Sequence, residues 1–255
     1  MTDPISSRLF GAGAAMPYAA AGATEASPIA PHLDKLAQAA IAPIENGMIV
    51  GLGTGRTSSR AIRALAQRVR TEHLDVACVA TSLASEALAR ELGLKTIPFS
   101  EVLELDYLFD GADEVDPHLR MMKGSHGAIT RQRLVAMVAS RCVYMTQEEK
   151  VVEQLGTNAL LAVTIIPFGI ASIREYLRHM GLSGILRRNM DNEVLVTDGG
   201  GVVLDMRIEG KEPEALAAAL DRVPGVVDHG FFLEEADEVL VEGRTGEVRR
   251  MTAAE

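Results

Sequence analysis

The stretch Val50-Gly51-Leu52-Gly53-Thr54-Gly55-Arg56-Thr57 starts as a short apolar strand, turns on glycines and runs into the amphipathic segment Ser58–Val69. A strand that passes through a glycine-rich loop straight into a helix is the opening unit of an α/β sheet. The loop's N–H groups and the positive end of the helix can together hold an anion. A dinucleotide fingerprint needs a third glycine where Arg56 stands, and an acid after the next strand, where Ala80-Thr81-Ser82 lies instead. A P-loop needs Gly-Lys followed by a hydroxyl residue, which this loop lacks. The hydroxyls of Thr54, Thr57, Thr81, Ser82 and Ser85 favour a small polar ligand such as a sugar phosphate. A plain glycine turn packing strand on helix would leave the same pattern, so the loop alone leaves both readings open.

Working outward, the chain alternates. Periodicity predicts helices at Asp34–Ala42, Ser58–Val69, Leu83–Leu92 and Ile129–Ala139, and strands at Met48–Leu52, Asp75–Ala80, Lys95–Pro98, Leu105–Phe109 and Cys142–Met145. This is the rhythm of a doubly wound, mostly parallel sheet of the α/β class. The pattern changes near Leu160. A strand at Val163–Pro167, a helix at Ala171–Met180, a hairpin of Leu186–Asn189 with Val194–Asp198, a strand at Val202–Arg207, a helix at Pro213–Arg222 and a strand at Val226–Phe231 make a compact α+β module. Glu238–Val241 reads as a strand returning to the first sheet. The expected organisation is a first unit of residues 31–158 plus 233–255 and a smaller α+β unit of residues 159–232. Residues 1–30, rich in Ala, Gly, Pro and Ser, read as a flexible extension or as the product of a start placed upstream of Met16. Asp3 and the lone Arg8 make a poor positive region for an export signal.

The second informative stretch is Phe109-Asp110-Gly111-Ala112-Asp113-Glu114, followed by Lys123-Gly124-Ser125-His126-Gly127-Ala128. A strand that ends in Asp-Gly-Ala-Asp puts its acids where α/β folds hold ligands, beyond the carboxyl ends of the strands. The lysine loop then brings an ammonium, so the pair offers proton transfer and a cation for a developing oxyanion. An acidic turn capping the next helix is the plainer reading. At 100° per residue Gln132 shares a face with Ala128, Val135, Ala136 and Ala139, which makes it an inward amide that needs partners or a function. His126 is either a proton carrier or an ordinary loop histidine.

Composition sets the limits. The chain has 255 residues, 47% of them hydrophobic, with no Trp and a formal net charge of −10. That charge argues against nucleic acid and anionic membrane as partners, so a phosphorylated ligand must meet a local positive pocket. Cys78 and Cys142 lie in apolar strand-like segments and read as buried thiols, not a disulfide or a metal site, which points to a reducing cytoplasm. No apolar run approaches the length of a membrane span.

The ordered motifs Gly-x-Gly-Thr-Gly-x-Thr, Thr-Ser-x-x-Ser, Asp-Gly-Ala-Asp-Glu and Lys-Gly-x-x-x-Ala-x-Thr-Arg are followed by Lys150, Val196-Thr197-Asp198-Gly199 and Pro224-Gly225-Val226-Val227. Together, over residues 33–250, they resemble ribose-5-phosphate isomerase A. The resemblance implies a Rossmann-like catalytic domain, a small ferredoxin-like domain, a homodimer or higher homo-oligomer, a small-molecule sugar phosphate as partner, and neither metal nor organic cofactor. It implies an aldose–ketose interconversion through a cis-enediolate, with Asp110 and Asp113 handling hydroxyl protons and ring opening and Lys123 stabilising the enediolate. Thr54, Gly55, Arg56 and Thr57 become the phosphate and hydroxyl loop, with Gly111, Ala112, Gly124, Ser125 and Lys150 as further substrate contacts.

The chain also departs from that pattern. The family's base is a glutamate directly after Thr-Arg, where this chain has Gln132, an amide without useful basicity. Arg56 replaces a small residue, His126 replaces a glycine, Leu33 stands at a lysine position, and Gln147-Glu148-Glu149-Lys150 replaces Asp-x-Ser/Thr-Lys. Two classes of function follow: an isomerase of a pentose phosphate, or of a different sugar phosphate, with His126 as an alternative base; or a weak or inactive relative that keeps the pocket as a sugar-phosphate binder. An acyl-CoA-handling relative of the broad fold lacks a visible CoA motif.

Overall fold

The computed structural model describes residues 29–208 and 210–252; the expectation of an N-terminal extension falls almost entirely outside them. Helix α1 (Lys35–Ile41) leads to strand β1 (Ile49–Leu52), helix α2 (Arg56–Glu72), strand β2 (Ala77–Ala80) and helix α3 (Leu83–Glu91). Strand β3 (Tyr107–Gly111) is followed by the two-residue strands β4 (Glu114–Val115) and β5 (Met121–Met122), then helix α4 (Ile129–Met137) and strand β6 (Cys142–Gln147). Strand β7 (Leu161–Ile165), helix α5 (Ile170–His179), strands β8 (Gly184–Leu186) and β9 (Val202–Met206), helix α6 (Pro213–Leu220) and strand β10 (Val226–His229) come next. Strands β11 (Phe231–Phe232), β12 (Glu238–Glu242) and β13 (Val248–Thr252) complete the described chain.

The main sheet has the order β13-β12-β6-β3-β1-β2, parallel except for the antiparallel edge strand β13. Its parallel strands are buried on both faces because alternate side chains enter different cores. Phe109 and Val143 pack with Leu36, Ile41, Ile62 and Leu65 of α1 and α2, while Leu108 and Tyr144 pack with Ile129, Val135 and Ala136 of α4. From β1 the chain goes to β2 on one side and then crosses back to β3 on the other. The crevice at the carboxyl ends of β1 and β3 is therefore the topological switch point, where such sheets bind ligands.

The second sheet, order β10-β7-β9-β8, is wholly antiparallel. Its βαββαβ succession with first and third strands central is the ferredoxin-like arrangement. Ile173 and Leu177 of α5 and Leu216 and Leu220 of α6 cover one face. A small third sheet, β11-β5-β4, joins the segment after the Asp-Gly-Ala-Asp loop to the chain that leaves the second sheet.

Several expected elements differ. Lys95–Pro98 makes only the Cys78–Thr96 bridge, because Pro98 has no N–H to continue a ladder. The expected hairpin of Leu186–Asn189 and Val194–Asp198 contracts to β8 and two isolated bridges, Arg188–Val194 and Val196–Val202. The expected strand Val226–Phe231 splits at Gly230 into β10 and β11, which serve different sheets. Glu238–Glu242 does return to the first sheet, beside β6, and then pairs with β13, whose sequence Val-Arg-Arg-Met-Thr alternates too weakly to announce a strand.

Candidate active site

The switch-point crevice is a solvent-open cleft of about 330 Å³. Thr54, Gly55, Arg56 and Thr57 line one side; Gly111, Ala112, Asp113 and Lys150 line a second; Lys123, Gly124, Ser125, His126 and Gln132 line the third. The three loops are brought together from positions up to about a hundred residues apart. Of the catalytic and substrate-contact residues that the resemblance implies, only Asp110 is off the wall.

Asp110 lies one layer behind, with no exposure to solvent. Its Oδ1 accepts from the Thr54 N–H at 2.9 Å, the Ser58 hydroxyl at 3.0 Å and the Gly111 N–H at 2.7 Å. Its Oδ2 accepts from the Gln132 amide at 2.8 Å and pairs with the Lys123 ammonium at 3.0 Å. A carboxylate with five donors fixes those donors, so Asp110 welds the anion loop, the lysine and Gln132 into one unit. Gly53 is required by the same packing, since a Cβ there would stand 2.2 Å from Asp110 Oδ1.

Lys123 is only 3% exposed. Its Nζ also donates to the Gly111 carbonyl and lies 5.1 Å from the Tyr144 ring centroid and 5.5 Å from that of Phe232. This ammonium is held by a carboxylate, a carbonyl and two ring faces, in low dielectric, at the edge of the cleft. Because a carboxylate can only accept, the amide of Gln132 must offer Asp110 its nitrogen, which turns its carbonyl oxygen away from that carboxylate.

Asp113 is half-buried and accepts the Ser125 N–H at 2.9 Å through Oδ2. His126 sits above the anion loop, with Nδ1 2.9 Å from the Ser125 hydroxyl. Burial lowers its pKa from the ordinary 6.5, the carboxylates of Asp113 and Asp110 pull it partly back, and Lys123 and Lys150 push it down again. At neutral pH the ring is therefore an uncharged imidazole, able to accept a proton. Lys150 donates to the Ala112 carbonyl at 3.3 Å.

The anion loop opens α2 with no side-chain cap, which leaves the first-turn N–H groups for a ligand. Gly55 has φ +100° and ψ 179°, a conformation that is essentially glycine's alone. Thr81, Ser82 and Ser85, expected from sequence as ligand hydroxyls, are buried behind the loop and used internally. Thr81 Oγ1 meets Thr54 Oγ1 at 2.7 Å, Ser85 Oγ donates to the Gly53 carbonyl at 2.6 Å, and Ser82 caps α3 through the Ser85 N–H. Sheet register and the start of α3, not local spacing, decide that these hydroxyls face away from the cleft. Among the described residues no group of three or more His, Cys, Asp or Glu side chains is placed to hold a metal ion.

The family profile described as Ribose 5-phosphate isomerase A (phosphoriboisomerase A) matches residues 77–246. A ribose-5-phosphate isomerase A of Roseiflexus castenholzii is 41% identical over 214 residues, 83% of this chain and 92% of the relative. The chain belongs to the ribose-5-phosphate isomerase A family. Two solved members have the same fold. The ribose 5-phosphate isomerase A of Methanocaldococcus jannaschii superposes with a TM-score of 0.81 at 31% identity, over 86% of this chain and 96% of its own. A D-ribose-5-phosphate isomerase in complex with phospho-erythronic acid gives 0.81 at 30% identity, over 85% and 96%. The loops that form the cleft fall within the family's matched span except for the anion loop, which precedes residue 77.

Proposed function

We propose that this chain is an aldose–ketose isomerase that interconverts ribose 5-phosphate and ribulose 5-phosphate through a cis-enediolate. The observation that carries the reading is the cleft itself: an uncapped helix start and the buried Lys123 ammonium bound one solvent-open cleft, with two proton acceptors between them. The related isomerase solved with phospho-erythronic acid supports a phosphorylated polyhydroxy ligand for such a cleft. The phosphate lies on Thr54–Thr57 with Arg56 and Lys150 beside it, and the carbonyl end lies at Lys123.

The chemistry follows from these positions. Asp113 takes the anomeric hydroxyl proton and passes it to the ring oxygen as the bond from C1 to that oxygen breaks, which opens the sugar. A base then removes the C2 proton, the C1 oxygen gathers negative charge against Lys123, and the same base returns the proton to C1 while the C2 hydroxyl proton passes to O1. No atom is gained or lost. Gln132 has no useful basicity, so His126 is the base in this reading. Gln132 serves as a fixed hydrogen-bond acceptor for a sugar hydroxyl, and Asp110 organises Lys123 and Gln132 from behind.

The enzyme works in the cytoplasm, within the pentose phosphate pathway, as a homodimer. Cys78 and Cys142 are free, buried thiols, which supports a reducing compartment. No helix among the described residues is long and apolar enough to cross a membrane. Phe168, Ile185 and Met190 are exposed apolar side chains that a second copy would cover.

The substitution at Gln132 favours a second reading, a binder without turnover, and one set of variants separates the two. His126→Asn should lower kcat/KM by roughly 10²–10⁴-fold, the usual worth of general-base catalysis. The parent's kcat/KM should be level above pH 6.5 and fall below it, since acid protonates a base whose pKa is depressed from the ordinary 6.5; that limb should vanish in the variant. Placing Gln132→Glu in the His126→Asn protein should recover at least about tenfold, because a carboxyl beside Asp110 titrates high enough to serve as base. Full activity in His126→Asn would reject the base assignment. Sugar-phosphate binding without isomerisation, in the parent and in Gln132→Glu alike, would leave the binder.

A further inference from the structure

Arg187 follows β8, at the edge of the ferredoxin-like sheet, and neither the sequence motifs nor the proposed chemistry uses it. The β8–β9 register sets Ile185 opposite Asp205, so Arg187 is a diagonal neighbour of Asp205 on the same face. Val203, on that face of β9, packs with the core under α4, so this face looks towards the lysine loop while α5 and α6 cover the other. The guanidinium Nε donates to Asp205 Oδ2 at 2.9 Å and its Nη2 pairs with Asp205 Oδ1. Held in that fork, Nη1 reaches the Gly124 carbonyl at 2.5 Å and the Ser125 carbonyl at 3.0 Å.

The Gly124 carbonyl and the Ser125 N–H belong to one peptide unit, and a peptide unit is planar. Holding its oxygen on Arg187 therefore commits its N–H to the opposite side, where it meets Asp113 Oδ2 at 2.9 Å. The second carbonyl, that of Ser125, fixes the peptide leading into His126 in the same way. Gly124, at φ +115°, gives the loop no side-chain restraint of its own against rotation of this peptide. We propose that Arg187 is a positioning residue for the isomerase site. It acts from the second sheet, through the Gly124–Ser125 peptide, to set Asp113 and His126. A lysine cannot replace it, because one ammonium lacks the planar fork that grips Asp205 and two carbonyls at once.

This inference rests on the isomerase reading, and the parent enzyme's turnover of ribose 5-phosphate tests that reading separately. Given an active parent, Arg187→Met should lower kcat about 10²-fold, the scale of a one-ångström misplacement of a reacting group. KM and the inhibition constant of inorganic phosphate should stay within about threefold, because the anion loop is untouched. Arg187→Lys keeps the charge beside Asp205 and should lose on the order of tenfold in kcat with an unchanged melting temperature. An unaltered kcat in either variant overturns the proposal. So does a variant whose kcat, phosphate affinity and melting temperature fall together, since that marks a structural tie between the sheets. If Arg187→Met does not fold, Arg187→Lys alone decides by its kcat.

Discussion

At the Gly53–Thr57 end of the cleft the groups that face a ligand are backbone N–H donors and one exposed guanidinium, whereas at the other end Asp110 and Lys123 are buried and paired with each other. The anion end is made by conformation: a glycine in a region closed to other residues and a helix that starts without a cap. The proton-transfer end is made by side chains from β3, the lysine loop and α4 that satisfy one another before any substrate arrives. In the proposed reaction the first end binds a charge that is the same in substrate and product, and the second stabilises a charge that exists only part-way through, which requires low dielectric and fixed groups. Substitutions should therefore act on KM at one end and on kcat at the other.

Of Lys123→Ala, Gly55→Ala and Arg56→Ala, the first should have the largest effect. Turnover should fall by about 10²–10³-fold, the usual loss on removing a group that stabilises an oxyanion, with inhibition by inorganic phosphate unchanged. Asp110 would also keep a buried charge without its partner, so stability should drop by about 3–5 kcal/mol in denaturant titrations. A raised KM with intact kcat would erase the distinction between the two ends.

Gly55→Ala should be intermediate and should couple the ends. Its backbone conformation costs about 1–3 kcal/mol in any other residue, and a Cβ would stand 2.6 Å from His126 Cε1. Phosphate affinity should weaken roughly tenfold and kcat should fall as well, through the displaced imidazole, which steady-state kinetics and calorimetric phosphate titration can resolve. If only phosphate affinity changes, His126 is not set by this loop.

Arg56→Ala should be the mildest. An exposed guanidinium on a phosphate is screened by solvent, so KM should rise about three- to tenfold with kcat constant, and the difference should shrink at high salt. Unchanged binding at low salt would show that the backbone loop holds the anion alone.

The cleft's wall was legible in the sequence because its loops carry local signatures. Glycines at Gly53 and Gly55 after a strand, acids at the end of β3 and a lysine between glycines each reflect a demand of the backbone or of the chemistry at that point. The alternation of helix and strand, which shows as apolar periodicity, set the α/β class in the same way. What the sequence left open concerns partners far along the chain. It suggested catalytic work for Asp110, ligand contacts for Thr81, Ser82 and Ser85, and nothing for Arg187. The tertiary structure gives these side chains their partners, because sheet register and packing, not neighbouring residues, determine which side chain meets which. Asp110 is behind the cleft because β1 and β3 lie side by side and bring Thr54 and Ser58 onto its Oδ1. Gln132 turns its nitrogen to Asp110 because α4 packs across that strand, and Arg187 reaches the lysine loop because β8 pairs with β9 in the one register that puts it beside Asp205. Local pattern fixed the elements and the kinds of group at their ends; only the assembled sheets settled the hydrogen-bond partners that give those groups their roles.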